Sequence, residues 1–141
     1  VFDTVLGLRD PDLGGDDSLC DVIGLNHYRD STLPPLHRLI LNAGKRYPEK
    51  PIWLTETSGP PIGWQQTEWF WWMMSEVRLA NIAGVKTEVF TWAPAISMYD
   101  WTDESVQLHN GIWIIEPDGS RVPNGRMVEA VELAREYGYL E

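Results

Sequence analysis

The segment 51–59 constrains the fold more than any other part of the chain. Residues 52–54 are Ile-Trp-Leu, an uncharged run of residues that favour strands, and such a run is typical of a parallel strand covered on both faces. The run ends at Glu56, followed by a Thr-Ser-Gly turn. Parallel α/β folds place their catalytic groups at the carboxyl ends of the strands. Glu56 is therefore a candidate catalytic carboxylate, and an exposed loop acid is the simpler alternative for an isolated Glu.

Two other segments share this pattern and place it in a repeating order. Residues 21–28 are an apolar run that ends in Asn-His-Tyr, and residues 87–93 are another that ends near Trp92. Amphipathic or apolar-rich helical patterns follow each run. The patterns predict strands over 22–27, 52–56 and 87–92, and helices over 34–46, 65–83 and 124–137. This alternation is typical of an α/β protein with a parallel sheet.

The three strand segments resemble motifs of the retaining glycoside hydrolases of clan A, close to the family 1 β-glucosidases and their bacterial relatives. Residues 21–28 (Asp-Val-Ile-Gly-Leu-Asn-His-Tyr) are similar to the pattern at barrel strand 6, and residues 51–56 (Pro-Ile-Trp-Leu-Thr-Glu) to the pattern at strand 7. Residues 89–92, with 99–101 and 109–113, are similar to strand 8 and its sugar-binding loop. The resemblance implies that residues 1–141 form the C-terminal part, about strands 6–8, of a (β/α)8 TIM barrel.

The resemblance also implies a role for each candidate site residue. Glu56 would attack the anomeric carbon as the nucleophile of a retaining glycosidase. Tyr28 would hydrogen-bond to Glu56 and hold its orientation. The residues that would bind the sugar all lie near the carboxyl ends of the strands: Asn26, Trp92, Asp100 and Trp101.

Several polar and aromatic residues have structural alternatives. Trp92 could fill the barrel core instead of forming a sugar platform, and Asp100 could be an exposed loop acid. His27 alternates to the opposite face of its strand from its two neighbours, so a buried, hydrogen-bonded core histidine is expected. Glu88, in the middle of the third strand, is expected to be a buried and paired carboxylate.

The sequence departs from the family pattern in several respects, two of which concern the nucleophile and its catalytic partner. Thr57-Ser58 stands where family 1 usually has Asn-Gly after the nucleophile. More importantly, retaining hydrolysis needs a second carboxyl group about 5 Å from the first as acid/base, and this clan supplies it from an Asn-Glu pair at strand 4. No Asn-Glu pair occurs in the 141 residues, whereas a complete barrel takes about 250 residues.

We therefore expect a partial barrel domain over residues 1–141 in which the N-terminal half is absent. Such a fragment carries the nucleophile without the acid/base and is expected to be inactive alone. Its expected partners are a carbohydrate substrate and either a complementary barrel half or a second copy of itself.

Composition excludes several other classes of function. The chain has 11 Lys and Arg against 21 Asp and Glu, a net charge of −10, which argues against binding to nucleic acid or to an anionic membrane. No cofactor is expected, and no metal, because the acidic loop 10–17 lacks the EF-hand spacing. A single cysteine, Cys20, precludes an internal disulfide. No stretch is long and apolar enough to span a bilayer, and a cytoplasmic location is expected.

Two other interpretations stay open from the sequence. One is a non-catalytic carbohydrate-binding or assembly module of α/β class with a degenerate site. The other is an open sheet unrelated to glycosidases, in which Glu56 is incidental. The position of the carboxylate and the aromatic residues at carboxyl strand ends favours the glycosidase over this last interpretation.

Overall fold

A parallel sheet forms the centre of the computed structural model, which describes residues 1–29, 32–59 and 63–140, with only the backbone of residues 63 and 64. The strands are β1 (Ile23–Asn26), β2 (Ile52–Thr57) and β3 (Thr87–Trp92). They lie in the order β1-β2-β3, and both pairings are parallel. The predicted α/β class and parallel pairing are confirmed, whereas the assignment to barrel strands 6–8 stays a prediction.

Helices follow the three strands of the sheet as the sequence predicts, and a short helix precedes the first strand. They are α1 (Phe2–Val5), α2 (Leu36–Arg46), α3 (Gly63–Ile82) and α4 (Gly125–Glu136). Two short 3-10 helices, Pro11–Leu13 and Asp17–Leu19, precede β1. No helix within the described ranges is long and apolar enough to cross a membrane.

The core lies between the sheet and the helices. α2 buries Leu36, Ile40 and Ala43, one helical stripe with spacings of four and three residues. From α3, the ring of Phe70 packs edge-on against Phe90 and Trp92 of β3, with centroid distances of 5.7 and 6.1 Å. The long apolar helix therefore fixes the third strand, and the residues after it, against the rest of the sheet.

Two small hairpins connect β3 to α4. The first pairs β4 (Met98–Tyr99) with β5 (Gln107–Leu108), and the second pairs β6 (Trp113–Ile115) with β7 (Arg121–Pro123); both are antiparallel. The side-chain amide of Gln107 donates to the carbonyl oxygen of Ile115 at 2.8 Å and ties the two hairpins together. The first hairpin extends the chain from the carboxyl end of β3, where the candidate site residues lie.

A β-bulge in β2 sets the direction of Glu56. Leu25 and Asn26 are consecutive in β1, but they pair with Leu54 and Glu56 in β2. On the other side, Leu54 pairs with Phe90 and Thr57 with Trp92, so β2 has one residue more than each neighbour over this stretch. Strict alternation from Leu54 would place Glu56 on the helix-covered face, and the extra residue instead leaves Thr57 fully buried and Glu56 half-buried.

Glu88 is not the buried, paired carboxylate that the sequence predicts. Its side chain is exposed in the structure. Thr87 and Phe90 of β3 pair with Ile52 and Leu54 of β2, so β3 carries its own extra residue between them. This irregularity breaks the alternation that would place Glu88 on the same face as Phe90.

Candidate active site

Glu56 is bonded by side chains from the neighbouring strand. The hydroxyl of Tyr28, just after β1, donates to Glu56 Oε1. The amide of Asn26 donates from Nδ2 to Glu56 Oε2 at 3.4 Å. The Glu56 carboxylate can only accept, so the Asn26 amide nitrogen must face it, and Asn26 Oδ1 then accepts from Thr55 Oγ1 at 2.8 Å. The structure therefore brings the predicted residues Glu56, Tyr28 and Asn26 together.

A buried layer behind Glu56 holds the strand ends in place. The Thr57 hydroxyl donates to the carbonyl oxygen of His27 at 2.6 Å and accepts from Trp69 Nε1 at 2.9 Å. The His27 N–H donates to the carbonyl oxygen of Glu56 at 2.9 Å. These bonds fix the backbone on both sides of Glu56, so the side chain of Glu56 is attached to a rigid part of the main chain. Sequence analysis missed Thr57 and Trp69, because strict alternation puts Thr57 on the opposite face from Leu54 and only the bulge in β2 turns it into the core.

His27 is a core residue, as its position in the strand predicts. Its side chain is buried and stacks on the Trp69 indole with a centroid distance of 6.0 Å and an interplanar angle of 9°. Its Nδ1 has no hydrogen-bond partner among the described residues, so the predicted hydrogen bonding is not seen at that nitrogen. Burial lowers the pKa of His27, and the Glu76 carboxylate partly opposes this shift.

A cavity of about 550 Å³ opens beside Glu56, a volume within the range of small-molecule sites. The strand ends and the β4–β5 hairpin together supply most of its lining, including Tyr28, Glu56, Ser58, Met98, Asp100 and Trp101. Four of these groups, the two carboxylates, the phenol and the indole, can hydrogen-bond to a polyol. The predicted residues Asp100 and Trp101 therefore share one cavity with Glu56.

Asp100 and Trp101 differ in how the protein holds them. Asp100 Oδ1 accepts hydrogen bonds from the backbone N–H and the hydroxyl of Thr102, at 2.7 and 2.5 Å. These bonds hold the pKa of the Asp100 carboxyl below its ordinary value of 3.8, so Asp100 is a carboxylate at neutral pH. The Trp101 side chain is 87% exposed and presents its indole to the cavity and to solvent.

Trp92 lies beneath the site instead of lining the cavity. It is 8% exposed, and its Nε1 donates to the carbonyl oxygen of Asn110 at 3.1 Å. Asn110 lines the cavity, and its Oδ1 accepts from the Met98 N–H at 3.4 Å. Trp92 therefore supports the floor of the cavity through Asn110, and its predicted role as a sugar platform stays a prediction.

Gln66 of α3 joins the helices to this floor. It is fully buried, donates from Nε2 to the carbonyl oxygen of His109, and accepts from Asn124 Nδ2 at 3.1 Å. Asn124 also donates to the carbonyl oxygen of Gly111 at 3.2 Å. Sequence analysis missed Gln66, because a single amide in an apolar-rich helix gives no indication of its partners.

The described residues were also considered as ligands for a metal ion. Within the part of the chain that the structure describes, no group of three or more His, Cys, Asp or Glu side chains is placed to hold a metal ion. The chemistry available at the cavity is that of carboxylate, phenol, aliphatic hydroxyl, amide and indole groups.

Comparison with known proteins gives a likeness in structure alone. No family model matches the chain, and no curated protein matches its sequence. Among solved structures, it is similar to a family 1 β-glucosidase from Thermotoga maritima, with a TM-score of 0.60 and 12% identity over 79% of this chain and 34% of that one. It is also similar to a hyperthermophilic β-glucosidase mutant, with a TM-score of 0.68 and 14% identity over 91% of this chain and 35% of that one.

The chain has a β-glucosidase-like fold. It spans about a third of the length of the solved structures it matches, which is consistent with a partial barrel. The fold therefore agrees with the resemblance in the three sequence motifs.

Proposed function

We propose that the chain supplies the nucleophile-bearing part of a retaining, β-glucosidase-like glycosidase barrel. The observation that carries this proposal is the hydrogen-bonded group of Glu56, Tyr28 and Asn26. This group lies at the carboxyl ends of parallel strands, beside a cavity, in a β-glucosidase-like fold. The carboxyl ends of the strands are where barrels of this kind carry out their chemistry.

Glu56 acts as the nucleophile in this mechanism. Its carboxylate attacks the anomeric carbon, the bond from that carbon to the leaving oxygen breaks, and a glycosyl ester forms on Glu56. Tyr28 and Asn26 each hold one carboxylate oxygen, which fixes the direction of attack. Asn26 serves for positioning, since an amide does not titrate. Water then hydrolyses the ester, and the same two bonds stabilise Glu56 as it leaves.

In this proposal the residues on the hairpin side of the cavity bind the sugar. The exposed indole of Trp101 offers a flat surface for the C–H face of a pyranose ring. The Asp100 carboxylate lines the same cavity and can accept hydrogen bonds from sugar hydroxyls. Trp92, held beneath the floor, is proposed to support the sugar site through its hydrogen bond to Asn110.

The acid/base group comes from outside this chain in the proposed mechanism. Asp100 lines the cavity with Glu56, but its lowered pKa leaves it without a proton to give at neutral pH. Within the described residues, β1 and β3 each pair on one side only, so both outer edges present unpaired backbone groups. We propose that further parallel strands of a barrel, carrying the second carboxyl group, pair with these edges.

Covalent labelling of Glu56 tests the nucleophile. The chain is incubated with dinitrophenyl 2-deoxy-2-fluoro-β-glycosides of glucose, galactose and mannose, whose leaving group departs without a proton donor. We expect one added fluorosugar, located on Glu56 by peptide mass spectrometry, because ester formation needs only the nucleophile. Glu56→Gln should not be labelled, and the matched variant Glu88→Gln, at an exposed glutamate of β3 outside the cavity, should be. Labelling at another residue, or none with any of the three sugars, would refute the assignment.

The same chain is expected to leave an unactivated disaccharide intact. General acid catalysis typically contributes about 10²–10⁴-fold, and a sugar alkoxide is a poor leaving group without it. Appearance of monosaccharide, followed by chromatography, would mean that a proton donor within this chain has been overlooked. A carbohydrate-binding module without catalysis is the second candidate, favoured by the exposed Trp101; it would bind sugar but would not be labelled.

A further inference from the structure

The hydroxyl of Thr57 lies in a chain of hydrogen bonds whose direction is fixed. The indole N–H of Trp69 can only donate, so Thr57 Oγ1 accepts from it at 2.9 Å and gives its own single proton to the carbonyl oxygen of His27 at 2.6 Å. Thr57 is fully buried and Trp69 is buried, so neither side chain can exchange its partner for bulk water. Trp69 of α3 therefore sets the direction in which the Thr57 hydroxyl points.

This hydroxyl acts on the residue that lies between the two partners of the Glu56 carboxylate. Asn26 and Tyr28 each donate to one oxygen of that carboxylate, and His27 lies between them in the sequence. The N–H of His27 donates to the carbonyl oxygen of Glu56 at 2.9 Å, and this backbone bond does not depend on the side chain at position 57. The bond to the carbonyl oxygen of His27 comes from the Thr57 side chain, so it needs a hydroxyl group at this position.

A bond to the carbonyl oxygen of His27 also orients the start of Tyr28. A peptide bond is planar, so the oxygen of His27 and the nitrogen of Tyr28 turn together. Tyr28 is 39% exposed, so packing holds its ring only in part, and a turn of this peptide would move its hydroxyl away from Glu56. Thr57 is itself held on its other side, because its carbonyl oxygen accepts from the N–H of Ala93 at 2.9 Å. The Thr57 hydroxyl thus links Tyr28 to a part of the chain that β3 keeps in place.

We propose that Thr57 is a positioning residue, whose hydroxyl orients the 27–28 peptide and thereby places the Tyr28 hydroxyl on the Glu56 carboxylate. Family 1 usually has Asn where this chain has Thr57, so the resemblance does not supply this role. The effect on catalysis rests on the proposed function, whereas the effect on the bond between Tyr28 and Glu56 does not. The simpler alternative is that Thr57 only stabilises the core, in which case its hydroxyl matters for unfolding and not for Tyr28.

Nuclear magnetic resonance of the tyrosine side chains tests the bond itself. The chain is prepared with tyrosine that carries carbon-13 at Cζ, and the Tyr28 signal is the one missing from Tyr28→Phe. Glu56→Gln replaces the carboxylate acceptor with a neutral amide and so defines the direction in which weakening this bond moves the signal. We expect Thr57→Val to move the Tyr28 signal in the same direction by more than its line width. Thr57→Ser keeps the hydroxyl and should leave the signal in place.

Thr87→Val is the matched control for the loss of a buried hydroxyl. Thr87 is a buried threonine of β3, and its Oγ1 has no hydrogen-bond partner among the described residues. Its replacement should leave the Tyr28 signal unchanged. If circular dichroism shows that Thr57→Val does not fold, Trp69→Phe takes its place, because it removes the donor that directs the Thr57 hydroxyl and should move the Tyr28 signal in the same direction.

The rate of labelling by the fluoroglycosides measures the catalytic consequence. The limiting rate reports attack by Glu56, and the half-saturating concentration reports binding of the glycoside. Because a misplacement of about 1 Å can cost about 10²-fold in rate, we expect Thr57→Val to lower the limiting rate by roughly 10–100-fold and to change the half-saturating concentration by less than about twofold. Thr57→Ser should be labelled at close to the wild-type rate.

The outcomes separate this proposal from the proposed function. If none of the sugars labels the wild-type chain, the nucleophile assignment fails, and the Tyr28 signal still decides the role of Thr57. If that signal moves no more in Thr57→Val than in Thr87→Val, Thr57 only stabilises the core and the proposal is wrong. The proposal is also wrong if Thr57→Ser loses as much labelling rate as Thr57→Val, or if only the half-saturating concentration changes, because the hydroxyl would then not control the attack by Glu56.

Discussion

Replacing Gln66 with leucine removes the link between α3 and the floor of the cavity. The substitution keeps the side-chain volume similar and deletes both polar atoms. The carbonyl oxygen of His109 loses the Gln66 Nε2 donor, and Asn124 Nδ2 loses the Gln66 Oε1 acceptor. Asn124 keeps its bond to the carbonyl oxygen of Gly111 at 3.2 Å. The His109 carbonyl oxygen therefore loses its side-chain donor, and the Asn124 amide nitrogen keeps one of its two hydrogen bonds.

The expected loss of stability follows from these two groups. A buried polar group left without its partner costs about 1–3 kcal/mol. The His109 carbonyl is only partly buried and Asn124 retains one bond, so each cost lies near the lower bound, and leucine recovers part of it by being more apolar. The net decrease in unfolding free energy is about 1–2 kcal/mol. At a urea slope of about 2 kcal/mol/M, the midpoint falls by about 0.5–1 M.

Urea unfolding followed by far-ultraviolet circular dichroism measures this change. Gln65→Leu is the matched control, because Gln65 is the preceding residue of α3 and is half-buried; its effect should stay within about 0.5 kcal/mol. A second readout is hydrogen exchange at the Trp92 indole N–H, which donates to Asn110 and should exchange faster in Gln66→Leu. Equal midpoints for the two leucine variants, with unchanged indole exchange, would refute the argument that Gln66 secures the floor.

Two further predictions concern His27 and Gly111. Burial holds the pKa of His27 below its ordinary value of 6.5, against the opposing Glu76 carboxylate. The unfolded chain therefore binds more protons than the folded one, and stability falls as the pH drops below 6.5. His27→Phe should flatten this part of a plot of thermal midpoint against pH, and an unchanged slope would contradict the argument. A β-carbon on Gly111 would lie 2.2 Å from the backbone nitrogen of Ser97, so Gly111→Ala should destabilise the chain by about 1–3 kcal/mol. At Gly125, where nothing lies within 4 Å, alanine should be neutral or slightly stabilising in α4, and equal urea midpoints for the two alanine variants would count against the clash.

The parallel strands could be predicted from the sequence because their signal is local. Residues 52–54 and 87–92 carry runs of strand-favouring residues, and a buried parallel strand needs little more. The predicted strand bounds agree with the observed ones to within one residue. The grouping of Glu56 with Tyr28 was implied by the family resemblance, and it agrees with the rule that the carboxyl ends of neighbouring parallel strands meet at one edge of the sheet.

Features that depend on pairing could not be predicted. The bulges in β2 and β3 arise from the register between strands, so alternation along a single strand misplaced Glu88. The β4–β5 hairpin has strands of two residues each, too short for any periodicity. Trp92 ends β3 and Trp101 lies in the loop of the β4–β5 hairpin, yet one is 8% and the other 87% exposed, because burial was decided by Phe70 of α3 and by the hairpin.

The extra residue in β2 makes the sheet less regular and at the same time determines the direction of the Glu56 side chain. Between Leu54 and Thr57 the strand contains two residues where β1 and β3 offer partners for one. A chain shortened at Thr55 would run in step with both neighbours from Leu54 onwards and regain the ladder bonds that this bulge gives up, with a glutamate still opposite Asn26. It would also lose the Thr55 hydroxyl, which bonds to Asn26 Oδ1 and helps to hold that side chain beside the carboxylate. The extra residue thus makes the strand less regular while it orients the carboxylate, and selection for stability alone would favour a chain without this residue.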